Sequence, residues 1–412
     1  MKYGLIGEKL GHSFSKEVHA ALADYEYELL EIPADDLASF MLKKEFKGIN
    51  VTIPYKESVI PFLDEISDEA REIGAVNTVV NRDGRLYGYN TDFFGMRALF
   101  LTLGVTAKAR KVAILGSGGT AKTARAVFKS LEASSVITVS RSKKGSLIDY
   151  AELYRDHTDT DIIINTTPVG MYPDNGSSPI DLGCFKNLSG VLDVIYNPLR
   201  TRLVLDARSR GIPSIGGLYM LVAQAVYASE IFLDTKYPDT KIDEIYSRLL
   251  SEKENIALIG MPSSGKSTVG KVLANMLERK LVETDEIIVK KVGKSISDMF
   301  NDDGESAFRD AESAVIANVS MKNALVISTG GGSILRDINV DNLRQNSKLI
   351  FIDRSLKNLI ATIDRPLSRS PEAVKNLYNT RYKKYVCAAD ITVDGDLTPN
   401  EIAEKIIGGL KL

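Results

Sequence analysis

The sequence predicts an α/β protein in which parallel sheets are covered by helices. Apolar runs typical of buried strands alternate with segments of helical spacing from the first residues onward. Two glycine-rich loops, near residues 116 and 260, each follow a strand-like run and precede a helical one. With 44% hydrophobic and 26% charged residues the composition is that of a globular protein, and 412 residues suggest roughly two or three domains.

The first half contains these elements in order. Strands are expected at 3–6, 27–32 and 49–53, with a helix at 16–23. A hairpin is expected from 77–80 and 85–89, and a helix over 93–103 ends at Gly104. A new unit then begins with a strand at 111–115 and a helix from the glycine loop to Leu131. It continues with strands at 136–139, 161–164 and 191–195, and helices at 217–233 and 242–250.

Charge and cysteine usage exclude several classes of protein. A net charge of −2 argues against a nucleic-acid partner. Cys184 and Cys387 offer no disulfide framework and favour a reducing cytoplasm. The N-terminal apolar run reaches Glu8 and Lys9 too soon for a signal peptide, and the apolar stretch 218–233 is too short to span a bilayer. We therefore expect no membrane association.

The loop at 260–268 matches the pattern G-x-x-x-x-G-K-[ST] at every position. It lies between a buried strand at 256–259 and helical spacing at 269–277, which is the context that a phosphate-binding loop (P-loop) requires. A glycine–serine turn before an ordinary helix is the simpler alternative. We expect Lys266 to reach the β- and γ-phosphates and the Ser267 hydroxyl to bind Mg²⁺. The predicted ATP-binding residues are Gly260, Ser263, Ser264, Gly265, Lys266, Ser267 and Thr268.

The earlier loop, Gly116-Ser117-Gly118-Gly119-Thr120-Ala121, fits the Rossmann pattern G-x-G-x-x-G/A. Its glycines permit a tight turn and the close approach of a pyrophosphate at the helix N-terminus. Where an NAD site has an acidic residue, the chain has Ser140-Arg141-Ser142-Lys143-Lys144, and this positive charge favours the 2′-phosphate of NADP. A structural glycine turn and a solvated basic loop are the alternatives.

Three polar clusters lie at strand ends, at residues 11–15, at 50–56, and at Asn77 with 90–92. Ligands bind at this edge of open α/β sheets, and a lysine beside an aspartate can transfer a proton. The residues also suit caps and turns, since Asp92 could begin a helix and Thr52 could lie in a strand ladder.

Residues 1–246 resemble the shikimate dehydrogenase family over the whole span and in the family's order. The matching segments are Ser13 with Ser15, 50–56 (N-V-T-x-P-x-K), 74–78, 90–95 (N-T-D-x-x-G), 165–168, 193–203 and 217–224. The resemblance implies an α/β substrate domain at 1–103 and 217–246 and a Rossmann-like NADP domain at 104–216. Lys56 and Asp92 would be catalytic, and the substrate-binding residues would be Ser13, Ser15, Thr52, Asn77, Tyr196 and Gln224. The implied NADP-binding residues are Gly116, Gly118, Gly119, Thr120, Ala121, Ser140, Arg141, Lys144, Thr166 and Gly217, where Ser140 replaces a frequent asparagine.

After a polar linker at 247–254, residues 255–412 resemble shikimate kinase. The matching residues are the P-loop, Glu283-Thr284-Asp285, Arg309 with Glu312, Gly330-Gly331-Gly332, Arg365-Pro366-Leu367 and Arg381. The resemblance implies an α/β domain of the nucleoside monophosphate (NMP) kinase type with a parallel sheet, in which Asp285 takes a proton from the substrate hydroxyl. Arg309, Gly331, Gly332 and Arg381 would hold the substrate, Arg365 would cover the phosphates from a lid, and Ser267 with Glu283 would hold Mg²⁺. Glu283 replaces the family's first aspartate, and the lid is a few residues short. Taken singly, each arginine also suits an exposed surface.

The two resemblances together predict a bifunctional enzyme that acts on small molecules. NADPH would reduce 3-dehydroshikimate to shikimate, and ATP with Mg²⁺ would phosphorylate shikimate. One alternative joins a quinate dehydrogenase to a small-polyol kinase, but Ser13 and Ser15 favour shikimate. Another is a non-catalytic ligand-binding domain that regulates the kinase, but the intact Lys56 and Asp92 argue against it.

Overall fold

The computed structural model describes residues 2–10, 14–142, 145–361 and 367–411. The chain forms two compact units, Met1–Leu250 and Ser251–Leu412. Ser13, Lys144 and Arg365, three of the predicted site residues, lie outside the described residues.

The first unit contains two sheets and the helices that cover them. Its described strands are β1 (Tyr3–Gly7), β2 (Tyr27–Glu31), β3 (Gly48–Val51), β4 (Glu65–Ile66), β5 (Thr78–Arg82), β6 (Arg85–Tyr89), β7 (Lys111–Leu115), β8 (Ser135–Val139), β9 (Ile162–Asn165), β10 (Gly190–Asp193) and β11 (Ser214–Ile215). Its described helices are α1 (Ser15–Leu22), α2 (Leu37–Lys43), α3 (Asp68–Ile73), α4 (Thr91–Leu101), α5 (Gly119–Ser130), α6 (Tyr150–Asp156), α7 (Arg202–Ser209), α8 (Leu218–Leu233) and α9 (Lys241–Lys253).

The first sheet is mixed and has the strand order β2-β1-β3-β5-β6-β4 within the described residues. β1 pairs in parallel with β2 and β3, whereas β5 is antiparallel to both β3 and β6. The predicted hairpin is present as β5 and β6. Its two turn residues, Asp83 and Gly84, have φ values of 53° and 83°, as a tight two-residue hairpin turn requires. The antiparallel pairs arise because this hairpin reverses the chain without a crossover helix.

The second sheet is parallel throughout its described strands, in the order β11-β10-β9-β7-β8. All four residues of β9 are buried, as are four of the five residues of β7. Such continuous apolar runs are typical of parallel strands that are covered on both faces. Because parallel strands end at the same edge, the glycine-rich loop after β7 and the Asn165–Thr166 turn after β9 lie together.

α4 and α8 pack against each other in the first unit and bring distant motifs together. A Cβ atom at Gly95 of α4 would lie 2.9 Å from the Met220 carbonyl oxygen and 3.0 Å from the Gln224 Cβ, so only glycine allows this approach. α4 also packs on α5 of the second sheet, where the Phe100 and Phe128 rings meet edge to face at 4.9 Å. The glycine of N-T-D-x-x-G therefore has a packing role.

The second unit is built on a third sheet, with the order β13-β14-β12-β15-β16 and parallel pairing throughout the described strands. The strands are β12 (Asn255–Ile259), β13 (Lys280–Glu283), β14 (Leu325–Ser328), β15 (Ser347–Asp353) and β16 (Ile391–Asp394). The helices are α10 (Lys266–Met276), α11 (Thr284–Val292), α12 (Ile296–Asp302), α13 (Gly304–Ser320), α14 (Asp337–Asn346), α15 (Pro371–Ala388) and α16 (Pro399–Leu410). Apolar cores cover both faces of this sheet.

The linker expected at 247–254 is helical as far as Lys253, because α9 continues through it. Ile245 and Leu249, four residues apart, bury one side of this helix, and the polar residues that follow are good helix formers. Within the described part of the chain, no helix combines the length and the apolar character that crossing a bilayer requires.

Candidate active sites

A cavity of about 450 Å³ in the first unit collects side chains that are far apart in the sequence. It is lined by residues that follow β1, β3 and β10 and by residues of α4, α5 and α8. The predicted substrate and catalytic residues in its wall are Ser15, Thr52, Lys56, Asn77, Asp92, Tyr196 and Gln224. Two predicted cofactor residues, Thr120 and Gly217, also line it. The motifs of both sheets therefore converge on one cavity.

Lys56 and Asp92 form an ion pair in the wall of this cavity. The Lys56 Nζ donates to Asp92 Oδ2 at 2.5 Å, and the two side chains are 28% and 17% exposed. The cap of α4 is Asn90, whose Oδ1 accepts from the Phe93 N–H at 3.3 Å. Asp92 lies in the first turn and is not needed as a cap, so its carboxylate is available to hold the ammonium group.

Asn77 is held rigidly beside this pair by a buried network. Its Oδ1 accepts from the Thr91 N–H at 2.7 Å, and its carbonyl oxygen accepts from Asn50 Nδ2 at 3.3 Å. Asn50 is fixed in turn by the Tyr27 hydroxyl, which donates to its Oδ1 at 2.7 Å. The side-chain nitrogen of Asn77, Nδ2, makes no hydrogen bond to another described residue, so it can donate into the cavity.

The opposite wall is formed by α8 and by the segment after β10. A Cβ atom at Gly217 would overlap the Val194 carbonyl oxygen, so glycine alone lets α8 begin this close to the end of β10. The Gln224 amide donates to the Leu221 carbonyl oxygen at 2.8 Å, which orients its side-chain oxygen. Burial raises the pKa of the Tyr196 hydroxyl, so this side chain is a neutral hydrogen-bonding group.

The glycine-rich loop after β7 has the geometry of a phosphate cradle. Gly116 has a φ of 109°, and a Cβ atom there would lie 2.7 Å from Thr166 Oγ1. Gly118 caps α5, whose first residue is Gly119, so backbone N–H groups point out of the helix end. At the end of β8 the Ser117 and Ser140 hydroxyls lie 3.5 Å apart, and the neighbouring Arg141 is exposed. The loop, Thr166 and Arg141 can therefore meet a dinucleotide along the edge of the second sheet.

Asp193, at the end of β10, is fully buried beneath this edge. Its carboxylate accepts from Thr201 Oγ1 at 2.6 Å and from Asn165 Nδ2 and the Ile195 N–H at 3.1 Å each. Burial raises the pKa of the Asp193 carboxyl to about 7 against the opposing effect of these hydrogen bonds. The turn after β10 is thus built on a buried titratable group.

In the second unit the P-loop surrounds a cavity of about 330 Å³. Gly260, Ser263 and Gly265 have φ values of 152°, 64° and 93°, which turn their N–H groups into the loop. Lys266 Nζ donates to the carbonyl oxygens of Gly260 and Met261 at 2.9 and 2.8 Å. The predicted residues that line the cavity are Ser263, Gly265, Lys266, Ser267, Thr268, Glu283, Asp285 and Gly331, whereas the Ser264 side chain is buried under the loop.

Ser267 and Glu283 offer a pair of oxygen ligands at the mouth of the P-loop. The Ser267 hydroxyl donates to Glu283 Oε2 at 2.6 Å, and Glu283 is the last residue of β13. No group of three or more His, Cys, Asp or Glu side chains that could hold a metal occurs in the described residues. A hydroxyl and one carboxylate suit Mg²⁺, which keeps several waters and takes further ligands from nucleotide phosphates.

Two buried arginines, Arg309 and Arg381, contact the triple-glycine turn next to the P-loop. Arg309 is bound by Glu312 at 2.8 Å and by Glu305 at 3.1 Å, and a Cβ atom at Gly332 would overlap its guanidinium group. Arg381 donates to the Gly331 carbonyl oxygen at 3.0 Å. Burial lowers the pKa of Arg381, although a guanidinium remains charged at neutral pH.

The glycines of this turn also make room for Asp285. A Cβ atom at Gly330 would lie 2.7 Å from Asp285 Oδ1 and 2.9 Å from Glu312 Oε1. The two arginines and the two carboxylates therefore lie together around the triple-glycine turn. This set of charges is suited to a substrate that carries both hydroxyl groups and a carboxylate.

Several lining residues are not among the predicted site residues, and two of them are charged. Lys9 lines the first cavity, and Arg354 lines the P-loop cavity. Arg354 directly follows β15, a buried strand whose apolar run 349–352 was not recognised as one. Recognising that strand would have placed Arg354 at the carboxyl end of a strand paired with β12, and so beside the P-loop.

Comparisons with known proteins match both units. Residues 5–79 match the family model of the shikimate dehydrogenase substrate binding domain, and residues 262–411 match that of shikimate kinase. The NADP(+) shikimate dehydrogenase of Clostridium beijerinckii is 38% identical over 261 residues, covering 60% of this chain and 96% of that protein.

Two solved structures extend this likeness. A chorismate mutase/shikimate 5-dehydrogenase fusion protein from Clostridium acetobutylicum is 37% identical, with a TM-score of 0.58 over 60% of this chain and 97% of that one. The shikimate 5-dehydrogenase of Thermus thermophilus, in complex with NADP(H) and shikimate, is 27% identical, with a TM-score of 0.54 over 60% of this chain and 99% of that one.

Proposed function

Since the chain belongs to the shikimate dehydrogenase family and also carries a shikimate kinase domain, we propose that it is a bifunctional enzyme for two consecutive steps of the shikimate pathway. The first reaction reduces 3-dehydroshikimate to shikimate with NADPH. The second phosphorylates shikimate to shikimate 3-phosphate with ATP. The Lys56–Asp92 ion pair, set in a cavity with five of the predicted substrate residues, carries this proposal.

In the dehydrogenase site Lys56 is the proton donor. NADPH, when bound, supplies a hydride to the C3 carbonyl carbon of the substrate. As that carbon gains the hydride, the carbonyl oxygen gains charge and takes a proton from the Lys56 ammonium group. Asp92 holds the lysine side chain in place through the ion pair at 2.5 Å. The Asn77 amide, Thr52 and Gln224 orient the substrate from the surrounding wall.

The cofactor would be held along the edge of the second sheet. The N–H groups of Gly118 and Gly119 at the start of α5 suit a pyrophosphate, because they have no acceptor within the helix. Gly116 forms the tight turn before them, and its own N–H donates to the Val139 carbonyl oxygen at 2.8 Å. Arg141 suits the 2′-phosphate, since it is exposed next to the Ser117–Ser140 contact at the end of β8. We assign residues 104–216 to this NADP domain and residues 1–103 with 217–246 to the substrate domain.

The kinase site would work by positioning and by neutralising charge. Lys266 and the P-loop N–H groups would bind the β- and γ-phosphates, and Ser267 with Glu283 would hold Mg²⁺, which screens the charge on the transferred phosphoryl group. Asp285 accepts the proton of the shikimate 3-hydroxyl as its oxygen attacks. Arg309 and Arg381 would hold the substrate carboxylate from the triple-glycine turn. We assign residues 255–412 to this domain.

We propose a cytoplasmic location for the enzyme, because Cys184 and Cys387 are both free and exposed, as is usual in a reducing compartment.

A coupled assay of the full chain tests the proposal. Oxidation of NADPH is followed with 3-dehydroshikimate and, as a control substrate, with 3-dehydroquinate. Consumption of ATP is followed with shikimate and with quinate. We expect turnover with 3-dehydroshikimate and with shikimate only. Turnover of the quinate series would favour the broader polyol specificity. Binding of 3-dehydroshikimate without NADPH oxidation would show a regulatory domain that has lost its chemistry.

A further inference from the structure

Arg354 lies in the P-loop cavity although neither the P-loop pattern nor the matched kinase residues include it. It follows the last residue of β15, and β15 is paired in parallel with the P-loop strand β12. A Cβ atom at Gly265 would lie 3.8 Å from Arg354 Nη1, so the guanidinium group stands beside the glycine that precedes Lys266. The residue therefore reaches the start of α10, where the N–H groups suit a phosphate.

The Arg354 guanidinium group is available to bind a ligand. It makes no hydrogen bond or salt bridge to any residue within 2–10, 14–142, 145–361 and 367–411, and its buried Nε has no partner there. A buried N–H donor without an acceptor is costly, so such a group is normally satisfied by another molecule.

The backbone on both sides holds Arg354 in place. The Ser355 N–H donates to Asp396 Oδ1 at 3.2 Å, and the Asn358 amide donates to the same oxygen at 2.9 Å. A Cβ atom at Gly395 would lie 2.8 Å from the backbone nitrogen of Arg354, so the loop after β16 packs directly on the end of β15. The side chain is thus presented from a fixed position, which lowers the entropic cost of binding.

Charge in the cavity points to the chemistry of the ligand. Among the described lining residues the cations are Lys266 and Arg354, and the carboxylates are Glu283 and Asp285. Without Arg354 the wall would be net negative, which opposes a polyphosphate. An arginine is also the side chain best shaped to bind two phosphate oxygens at once.

We propose that Arg354 binds the polyphosphate of the nucleotide and supplies a second protein cation beside Lys266. This inference rests on the proposed kinase function, because it assigns a further ATP-binding residue to the same site. Loss of a charge-assisted contact of this kind raises a dissociation constant by roughly ten- to a hundredfold.

The test is titration calorimetry of the full chain with Mg·ADP, for the wild type and three variants. Arg354→Gln keeps much of the length but removes the charge, Arg354→Lys keeps the charge, and Lys357→Ala removes an exposed cation three residues away that does not line the cavity. We expect Arg354→Gln to weaken Mg·ADP binding by about ten- to a hundredfold. Arg354→Lys should recover most of that loss, and Lys357→Ala should bind like the wild type.

Two further readouts separate the possible failures. In the kinase assay Arg354→Gln should raise KM for ATP by a similar factor and leave KM for shikimate unchanged. Wild-type affinity for Mg·ADP in Arg354→Gln, or equal losses in the Gln and Lys variants, would overturn the inference. If the wild type fails to phosphorylate shikimate, the proposed function fails, but Mg·ADP titration still decides the role of Arg354. If the Gln variant does not fold, Arg354→Met takes its place in the same comparison, because methionine also keeps much of the length and removes the charge.

Discussion

Ser267 donates a hydrogen bond of 2.6 Å to Glu283, so the residue that departs from the kinase pattern touches the hydroxyl expected to bind Mg²⁺. The two residues belong to different elements, the first turn of α10 and the end of β13. Their contact brings a carboxylate next to the hydroxyl that is expected to bind Mg²⁺. The position of Glu283 thus supports a role in holding Mg²⁺ more strongly than its sequence position alone.

We expect Glu283→Ala to raise the Mg²⁺ concentration needed for half-maximal phosphorylation. Glu283→Asp should change the rate by less than about tenfold, under 1.4 kcal/mol. Aspartate is shorter by roughly one and a quarter ångström from ordinary bond geometry, and a bound water can absorb that difference because Mg²⁺ keeps several waters. Glu286→Ala, which changes an exposed carboxylate in the first turn of α11, is the control. A Mg²⁺ titration of Glu283→Ala that overlays the wild type would rule out the metal role.

The two chemistries should separate by mutation. Lys56→Ala should abolish nearly all NADPH oxidation and leave phosphorylation of added shikimate intact, because Lys56 and the P-loop belong to different units. Lys266→Ala should have the reverse effect, since it removes charge at the β- and γ-phosphates. Lys271→Ala, which changes an exposed lysine of α10, controls for general damage. Loss of both activities in one folded variant would contradict independent sites.

The sequence predicted which residues line the cavities better than it predicted the contacts among them. Lys56 and Asp92 could be paired because their motifs occur in the order of a known family, and the structure joins them at 2.5 Å. The Ser267–Glu283 hydrogen bond could not be predicted, because it depends on how far β13 extends beside the P-loop. Arg354 was missed because the strand before it was not recognised.

The fold shows the same limit. The strand at 111–115 was predicted with the bounds that it has, because a continuous apolar run marks a buried parallel strand. The short elements α2, α3 and β4 were missed, since six or seven helical residues and a two-residue strand carry little periodicity. α9 runs through the predicted linker because the tail Ser-Glu-Lys is compatible with both a helix and a loop.

Arg141 should carry much of the preference for NADPH over NADH. A charge-assisted contact to the 2′-phosphate contributes roughly 1.5–3 kcal/mol, which corresponds to about ten- to a hundredfold in selectivity. We expect Arg141→Ala to raise KM for NADPH and to leave KM for NADH almost unchanged. Arg155→Ala, an exposed arginine of α6 paired with Asp156, is the matched control. Equal losses for both cofactors would mean that Arg141 supports the fold or the pyrophosphate.

Two buried groups of the first unit should give opposite dependences of stability on pH. Burial raises the pKa of the Asp193 carboxyl from 3.8 to about 7, so the folded state binds an extra proton between these values and is stabilised as the pH falls. Burial lowers the pKa of His19 from 6.5 to about 3, so the unfolded state binds the extra proton and stability falls with pH. Between about pH 4 and 6.5 the two effects offset each other in the wild type.

Asp193→Asn should therefore uncover an acid sensitivity that the wild type lacks. The unfolding free energy of the wild type, minus that of Asp193→Asn, should increase as the pH falls from about 7 to about 4. The increase is at most about 1.4 kcal/mol per pH unit. His19→Gln should give a difference of the opposite sign over about pH 6.5 to 3, because it removes the group that must become charged on unfolding. The measurement is denaturant unfolding of the full chain at several pH values, with the first-unit transition identified by its shift with NADP⁺. A difference for Asp193→Asn that is constant across this range would show that Asp193 stays ionised in the fold, held so by its three hydrogen bonds.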